Sequence, residues 1–262
     1  MQYHSTRDKS ISVSSAEAIK TGLSAEGGLF VPESFPSVSL DEIKNLASKS
    51  YNERAYFVLS KFLSDFTEEE LKKCIDSAYT KEKFETESIA PVYKLNDTTY
   101  FLELWHGPTC AFKDMALQIL PHLLTTSMKK TNEDKEIVIL VATSGDTGKA
   151  ALEGFKDVAG TRIIVFYPDN GVSEIQKLQM VTQEGNNVSV AAVKGNFDDA
   201  QSGVKKIFTD VDYKNLLDRN QFKLSSANSI NWGRLVPQIV YYFSSYAELV
   251  KNNEIEIGDK IN

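Results

Sequence analysis

Cysteine and histidine are scarce in this sequence. Among 262 residues there are two cysteines, Cys74 and Cys110, and three histidines, His4, His106 and His122. The cysteines lie far apart with no paired spacing, so neither a disulfide framework nor a zinc site is indicated; both are expected as reduced, buried or partly buried thiols. The histidines do not cluster, which argues against a His-based metal site, and no metal is expected. No stretch approaches the roughly 20 apolar residues that a membrane span needs. The polar N-terminus, MQYHSTRDKS, carries no apolar segment of the kind a secretory signal requires. Long runs of one charge sign are missing too, and the dispersed net charge of −7 argues against a nucleic-acid surface. Internal repeats and low-complexity linkers are absent. The expectation left standing is a cytoplasmic enzyme or binding protein with neither membrane nor nucleic acid as a partner.

What is present suffices for a core: 42% of the residues are apolar, enough for one large or two small domains. Residues 1 to about 90 read as a mainly helical lead-in. Ser39 with Glu42, Ser50 with Glu53 and Thr67 with Glu70 each fit the capping-box pattern that opens a helix. After the second box, Tyr56, Phe57, Leu59, Phe62 and Leu63 form an apolar stripe; after the third, Leu71, Ile75, Ala78 and Tyr79 share one face. Gly27-Gly28 reads as a turn needing positive φ.

From Ala90 the pattern changes. Val92 to Leu95, then Asn96-Asp97, then Thr98 to Leu104 reads as a hairpin. Pro121 is expected to kink or shorten the helix that follows residue 114. Next comes alternation: strand Ile137 to Ala142, helix Ala150 to Val158, strand Arg162 to Phe166, a helix capped by Ser173 and Gln176, strand Val188 to Val193, and helix Asp198 to Phe208. Strands alternating with helices imply an α/β fold, a doubly wound and mostly parallel sheet covered on both faces. A last helix runs from Asn231 to about Val250.

Two stretches carry chemistry. His106 to Asp114 reads HGPTCAFKD and places Lys113 at a strand–turn–helix junction, where open α/β sheets hold their ligands. Aromatic and small neighbours would desolvate this lysine, and a desolvated amine is a usable nucleophile toward a carbonyl cofactor. On these residues alone Lys113 is a candidate reactive lysine, against the ordinary alternative of a solvated surface side chain. The second stretch, Thr143-Ser144-Gly145-Asp146-Thr147-Gly148-Lys149, is a Gly- and hydroxyl-rich loop running into a helix N-terminus, an anion cradle of free N–H groups. A nucleotide P-loop would need glycine at Thr143 and Ser or Thr at Ala150, and the dinucleotide GxGxxG spacing is missing. A purely structural turn is the alternative.

HGPTCAFKD resembles the cofactor-lysine segment of threonine synthases, pyridoxal-phosphate enzymes of fold type II, the tryptophan-synthase-β type. Three further segments share the resemblance: STR at Ser5 to Arg7, GLSAEGGLFVP at Gly22 to Pro32, and SSANSINWGR at Ser225 to Arg234. Asp8 departs from the glycine usual after the arginine, and Asp146 stands where many relatives of the fold carry asparagine. The resemblance implies that Lys113 holds pyridoxal 5′-phosphate and acts as the catalytic base, with Phe112 stacking on its ring and Asp146 near its 3′ oxygen. It implies that Thr109, Ser144, Gly145, Asp146 and Thr147 bind substrate, the loop taking the α-carboxylate. Asn228, Asn231 and Arg234 would bind the substrate phosphate, with an N-cap and a surface arginine as the alternative. The reaction implied converts O-phospho-L-homoserine and water to L-threonine and phosphate.

Members of this family continue well past position 262 with the strand and loop that grip the cofactor phosphate, so the chain is expected to be an N-terminal portion. Its partner would be the remaining C-terminal half, and an exposed sheet edge and apolar patch are expected where that half packs. The implied division is a helical lead-in at 1–90, part of a cofactor domain at 91–130 and 220–262, and a substrate domain at 131–219. The alternatives are another fold type II lyase (a phospho-lyase or dehydratase) and a non-catalytic folded fragment.

Overall fold

The computed structural model describes all 262 residues. The chain opens with β1 (Tyr3–Ser5), β2 (Ser12–Val13), α1 (Ser15–Thr21) and β3 (Phe30–Pro32). β1 pairs antiparallel with β2 on one side and β3 on the other. This small sheet departs from the helical lead-in expected: strands so short show no period, and Tyr3 meets Pro32 only across the intervening helix. The two glycines of the turn before β3 are needed for different reasons. Gly27 has φ of 84°, whereas Gly28 does not take a positive φ; it leaves room for the Ser5 hydroxyl and, 3.1 Å from where its Cβ would stand, the Arg7 N–H.

α2 (Leu40–Leu46), α3 (Tyr51–Phe62) and α4 (Glu68–Ala78) follow, and all three expected capping boxes form. In each, the Ser or Thr oxygen accepts from the N–H three residues on, and the glutamate accepts from the cap N–H; such caps contribute about 1 kcal/mol each. The stripe of α3 is turned relative to expectation. Tyr51, Arg54, Ala55, Val58, Leu59 and Phe62 are buried, while Tyr56 and Phe57 are half-buried on its flank. Leu71, Ile75, Ala78 and Tyr79 are all buried, as their spacing predicts.

β4 (Val92–Asn96) and β5 (Thr99–Leu102) make the expected hairpin, with a register shift between Lys94 and Asn96. Tyr93, Leu95 and Phe101 on it, and Trp105 beyond it, are exposed. After the lysine, a short α5 (Asp114–Leu117) ends and α6 (Leu120–Lys130) begins, with Pro121 in its first turn. There the missing N–H costs no hydrogen bond, so the first helix is shortened, as one of the two expected outcomes had it, and the proline opens a second helix without kinking it.

The rest is β6 (Glu136–Ala142), α7 (Asp146–Phe155), β7 (Thr161–Pro168), α8 (Glu174–Val181), β8 (Val188–Val193), α9 (Phe197–Thr209), α10 (Val211–Arg219), β9 (Phe222–Ser226) and α11 (Trp232–Lys251). The sheet is parallel, in the order β8-β7-β6-β9. β6 alternates between two cores: Ile137, Ile139 and Val141 pack with Ala150, Ala151 and Leu152 of α7, whereas Val138, Leu140 and Ala142 pack with Ala200, Val204 and Phe208 of α9. The sequence reading lacked α10, which buries no residue, and β9, whose polar Lys223, Ser225 and Ser226 hide a strand. β9 matters because it lies on the opposite side of β6 from β7. That reversal of strand order opens a crevice at the carboxyl ends of β6 and β9, the place where open α/β sheets bind ligands. No helix is long and apolar enough to cross a membrane.

α6 also carries a pH-sensitive group. Burial, with Lys83 nearby, pushes the His122 imidazole from 6.5 down to about 4. A group depressed in the folded state favours folding fully above its unfolded value. Stability is therefore expected to fall as pH drops from 6.5 toward about 4, and to fall less in His122→Asn. Denaturant melts of both proteins across that window measure the difference.

Candidate active site

The lysine segment is braced from inside. Asp114 is fully buried; its Oδ2 accepts from the Thr109 N–H at 2.8 Å and its Oδ1 from the Thr109 hydroxyl at 2.7 Å. Burial pushes the Asp114 carboxyl above the usual carboxylate range, against the Thr109 hydrogen bonds. A Cβ on Gly107 would stand 2.6 Å from Asp114 Cβ, so only glycine lets the turn close this tightly. His106 Nε2 lies 2.7 Å from Glu103 Oε2 at the start of the segment. Cys74 is buried as expected, but Cys110, which takes a φ of 55°, is exposed.

So held, Lys113 caps α5 with its amine in a defined place. Nζ donates to Asp146 Oδ2 at 2.8 Å and sits 4.1 Å from the centre of the Phe112 ring. The side chain is 17% exposed, open to a ligand and shielded from bulk water.

Asp146 belongs to the loop between β6 and α7. The buried Thr143 hydroxyl accepts from the N–H groups of Gly145 (3.0 Å) and Gly148 (2.9 Å), folding the loop around itself. Gly145 has φ of 156° and its backbone lies against the Gln176 carboxamide, so a side chain there would meet both strain and a clash. Asp146 Oδ1 accepts from the Thr147 N–H at 3.0 Å. The N–H groups of Ser144 and Asp146 make no hydrogen bond within the chain. They stand on either side of Gly145, the N-cap of α7, which begins at Asp146 and not at Ala150.

The segment after β9 supplies the other wall. Asn228 pairs with both backbone groups of Ala142, its Oδ1 accepting at 3.3 Å and its Nδ2 donating at 3.0 Å. Asn231 caps α11: Oδ1 accepts from the Gly233 N–H, and Nδ2 donates to the carbonyls of Ile19 and Ser226, both at 2.9 Å. Both amides are thus engaged by the chain itself. Arg234 differs. It is 2% exposed, its Nε and Nη1 have no partner, and its guanidinium carbon lies 6.0 Å from the Phe112 ring centre. Burial lowers its pKa, while Asp146 acts the other way. A buried cation with free donors is costly unless an anion meets it.

Lys113, Phe112, Asp146, the free N–H groups and Arg234 therefore converge, and Thr109 supports them from below. Beside them opens a cavity of about 510 Å³ lined by Trp105, Thr109, Phe112, Asp146, Gln176 and Gln179, among others. The two glutamines, both on α8, were not expected here. Their signal is an inverted helix: Ile175, Leu178 and Val181 face solvent while the amides face the cavity.

Residues 2–79 match the family described as threonine synthase N terminus. Threonine synthase from Pseudomonas aeruginosa is 40% identical over 250 residues, covering 95% of this chain and 51% of that protein. The crystal structure of pyridoxal-phosphate-bound threonine synthase from Brucella melitensis superposes with a TM-score of 0.83 at 36% identity, over 95% of this chain and 52% of that one. Over nearly its whole length the chain is similar to part of the threonine synthases, and residues 2–79 carry their N-terminal family region. Human threonine synthase-like 1 is 41% identical over 256 residues, 94% of this chain and 34% of that protein. The fold is accordingly fold type II, and the chain spans about half the length of the threonine synthases it matches.

Proposed function

We propose that this protein is a threonine synthase, converting O-phospho-L-homoserine and water to L-threonine and phosphate with pyridoxal 5′-phosphate as cofactor. The observation that carries this reading is the Lys113 amine, held between the Phe112 ring and Asp146 with the unpartnered, buried Arg234 beyond the same ring. The residues fit such a cofactor: an amine to bond its aldehyde, an aromatic face for its ring, and donors for the anions of the substrate. Pyridoxal phosphate, when bound, supplies an electron sink for charge developing on the substrate.

The chain's own groups do the rest. Lys113 Nζ, once free, takes the proton from the substrate Cα and returns protons farther along the chain. The free N–H groups of Ser144 and Asp146 hold the α-carboxylate, with the helix dipole of α7 behind them. Arg234 holds the phosphate, and its free Nε and Nη1 are the donors that group would use. Asn228 and Asn231 set the position of this segment, and Thr109 with Asp114 sets that of the lysine. The test is an absorption spectrum with added pyridoxal phosphate, then borohydride reduction and peptide mapping. A visible band and a label on Lys113 are expected; a label elsewhere, or none, would reject the reading. Keto acid and ammonia appearing in place of threonine would make the protein a phospho-lyase.

A further inference from the structure

A short loop, Asp169 to Val172, leads from β7 to Ser173, the N-cap of α8. Both of its ends are fastened. The Asp169 N–H donates to the Val193 carbonyl at 3.0 Å, and Val172 packs against the main core. Between them stands Asn170-Gly171, the one Asn-Gly step in the sequence, with both residues exposed. Neither the Asn170 carboxamide nor the Gly171 N–H has a hydrogen-bond partner in the chain. Other asparagines are held: Asn228 pairs with the backbone of Ala142, and Asn187 Nδ2 donates to the carbonyls of Phe155 and Thr161 at 2.9 and 3.0 Å. A side-chain amide is open to attack by the main-chain nitrogen that follows it. Glycine crowds that nitrogen least, having no Cβ, and an exposed loop leaves the segment free to bend toward the reacting geometry.

We propose that Asn170 is a site of spontaneous deamidation, and that the isoaspartate formed there loosens α8 and the cavity wall it carries. The Gly171 nitrogen gives its proton to solvent base and bonds to Asn170 Cγ. The Cγ–Nδ2 bond breaks, and the nitrogen leaves as ammonia with a proton taken from solvent. Water then opens the cyclic imide, at Cγ to give aspartate or at the main-chain carbonyl to give isoaspartate. The sum is amide and water to carboxylate and ammonium, with no other reactant. The two products differ in effect. Aspartate places a charge just ahead of a helix N-terminus, where a negative charge is favourable. Isoaspartate routes the main chain through Cβ and lengthens it by one C–C bond, about 1.5 Å. That length cannot enter between Asp169 and Val172 without moving one of them. Val172 leads straight into the Ser173 cap, whose hydroxyl accepts from the Gln176 N–H at 3.3 Å. Gln176 and Gln179 of the same helix line the cavity beside Phe112 and Asp146.

The experiment incubates the full chain for days in mildly alkaline buffer and follows its tryptic peptides by mass. The peptide Ile163–Lys177 should gain an acid at Asn170, faster at higher pH, with isoaspartate the larger product. Peptides holding Asn187 and Asn228 should stay unchanged over the same time. So should Asn170→Gln, whose longer side chain closes a less favoured ring. Hydrogen exchange of the α8 amides should be severalfold faster in the aged wild type than in fresh protein or in Asn170→Asp. An Asn170 amide that persists when the free peptide Ile163–Lys177 is fully converted overturns the site, and so does equal conversion at Asn187 and Asn228. Conversion that leaves α8 exchange unchanged, or an equal rise in Asn170→Asp, overturns the effect on the helix.

Discussion

Lys113→Arg should abolish turnover while leaving the fold intact. Arginine keeps the cation, so the ion pair with Asp146 and the contact with the Phe112 ring are retained in kind. What it loses is the ability to become a neutral amine, and hence both the bond to a carbonyl cofactor and the base at Cα. The loss of a positioned base alone accounts for about 10²–10⁴ in rate, so a decrease of at least about 10³ is expected. Phosphate release from O-phospho-L-homoserine measures it, and a urea melt should place the variant within about 0.5 kcal/mol of wild type. In Lys113→Ala, added methylamine should restore part of the rate, because the cavity admits a small amine where the side chain stood. A variant that keeps wild-type turnover would remove Lys113 from the chemistry.

The second large effect lies far from the site. Arg54 is 2% exposed on α3, and its guanidinium is fully distributed: Nε donates to the Leu46 carbonyl (2.9 Å), Nη2 to that of Ala47 (3.2 Å), and Nη1 to Ser244 Oγ (3.1 Å) and Glu248 Oε1 (2.8 Å). It closes the C-terminal end of α2 and pins it to α11. Arg54→Met leaves the Ala47 carbonyl without its donor and the Glu248 carboxylate with only Lys251, 3.6 Å away, opposite it, and removing one partner of a buried pair typically costs about 3–5 kcal/mol. That is a large share of the roughly 5–15 kcal/mol by which a protein is stable. A fall in the urea midpoint of corresponding size is expected. Arg54→Met with Glu248→Leu should cost less than Arg54→Met alone, since no charge is stranded. The surface pair Lys72–Glu68, with both side chains more than half exposed, serves as the contrast: breaking it should leave the urea midpoint close to that of the wild type.

The difference between what could and could not be read from the residues follows from the range of the interactions. The capping boxes at Ser39, Ser50 and Thr67 are settled within four residues, so their letters suffice. β6 was legible because both of its faces are buried and its apolar run is unbroken. β1 to β3 and β9 gain their structure from partners remote in sequence, and nothing local marks them. The site shows the same division. Lys113 and the loop at 143–149 stand in contiguous motifs, and their meeting at 2.8 Å follows from the crevice between β6 and β9. Gln176 was read only as the third residue of a cap, because the backbone its carboxamide lies against, Gly145, belongs to the loop between β6 and α7. Asn231 was expected to face substrate; its amide instead reaches back to Ile19, a partner no motif names.

That last contact, with the one from Arg54 to Glu248, has a consequence for how the protein is made. The partners are separated by 212 and 194 residues respectively. Translation proceeds at about 5–20 residues per second, so Arg54 waits roughly 10–40 s on the ribosome before Glu248 is synthesised. Through that interval the early helices carry an unmatched cation and an apolar face meant for α11. The lead-in therefore cannot set as an independent unit; it stays loose until the last long helix arrives and closes both ends of the chain at once. Chaperones that shield nascent chains would find client surface on α1 and α3 throughout that interval.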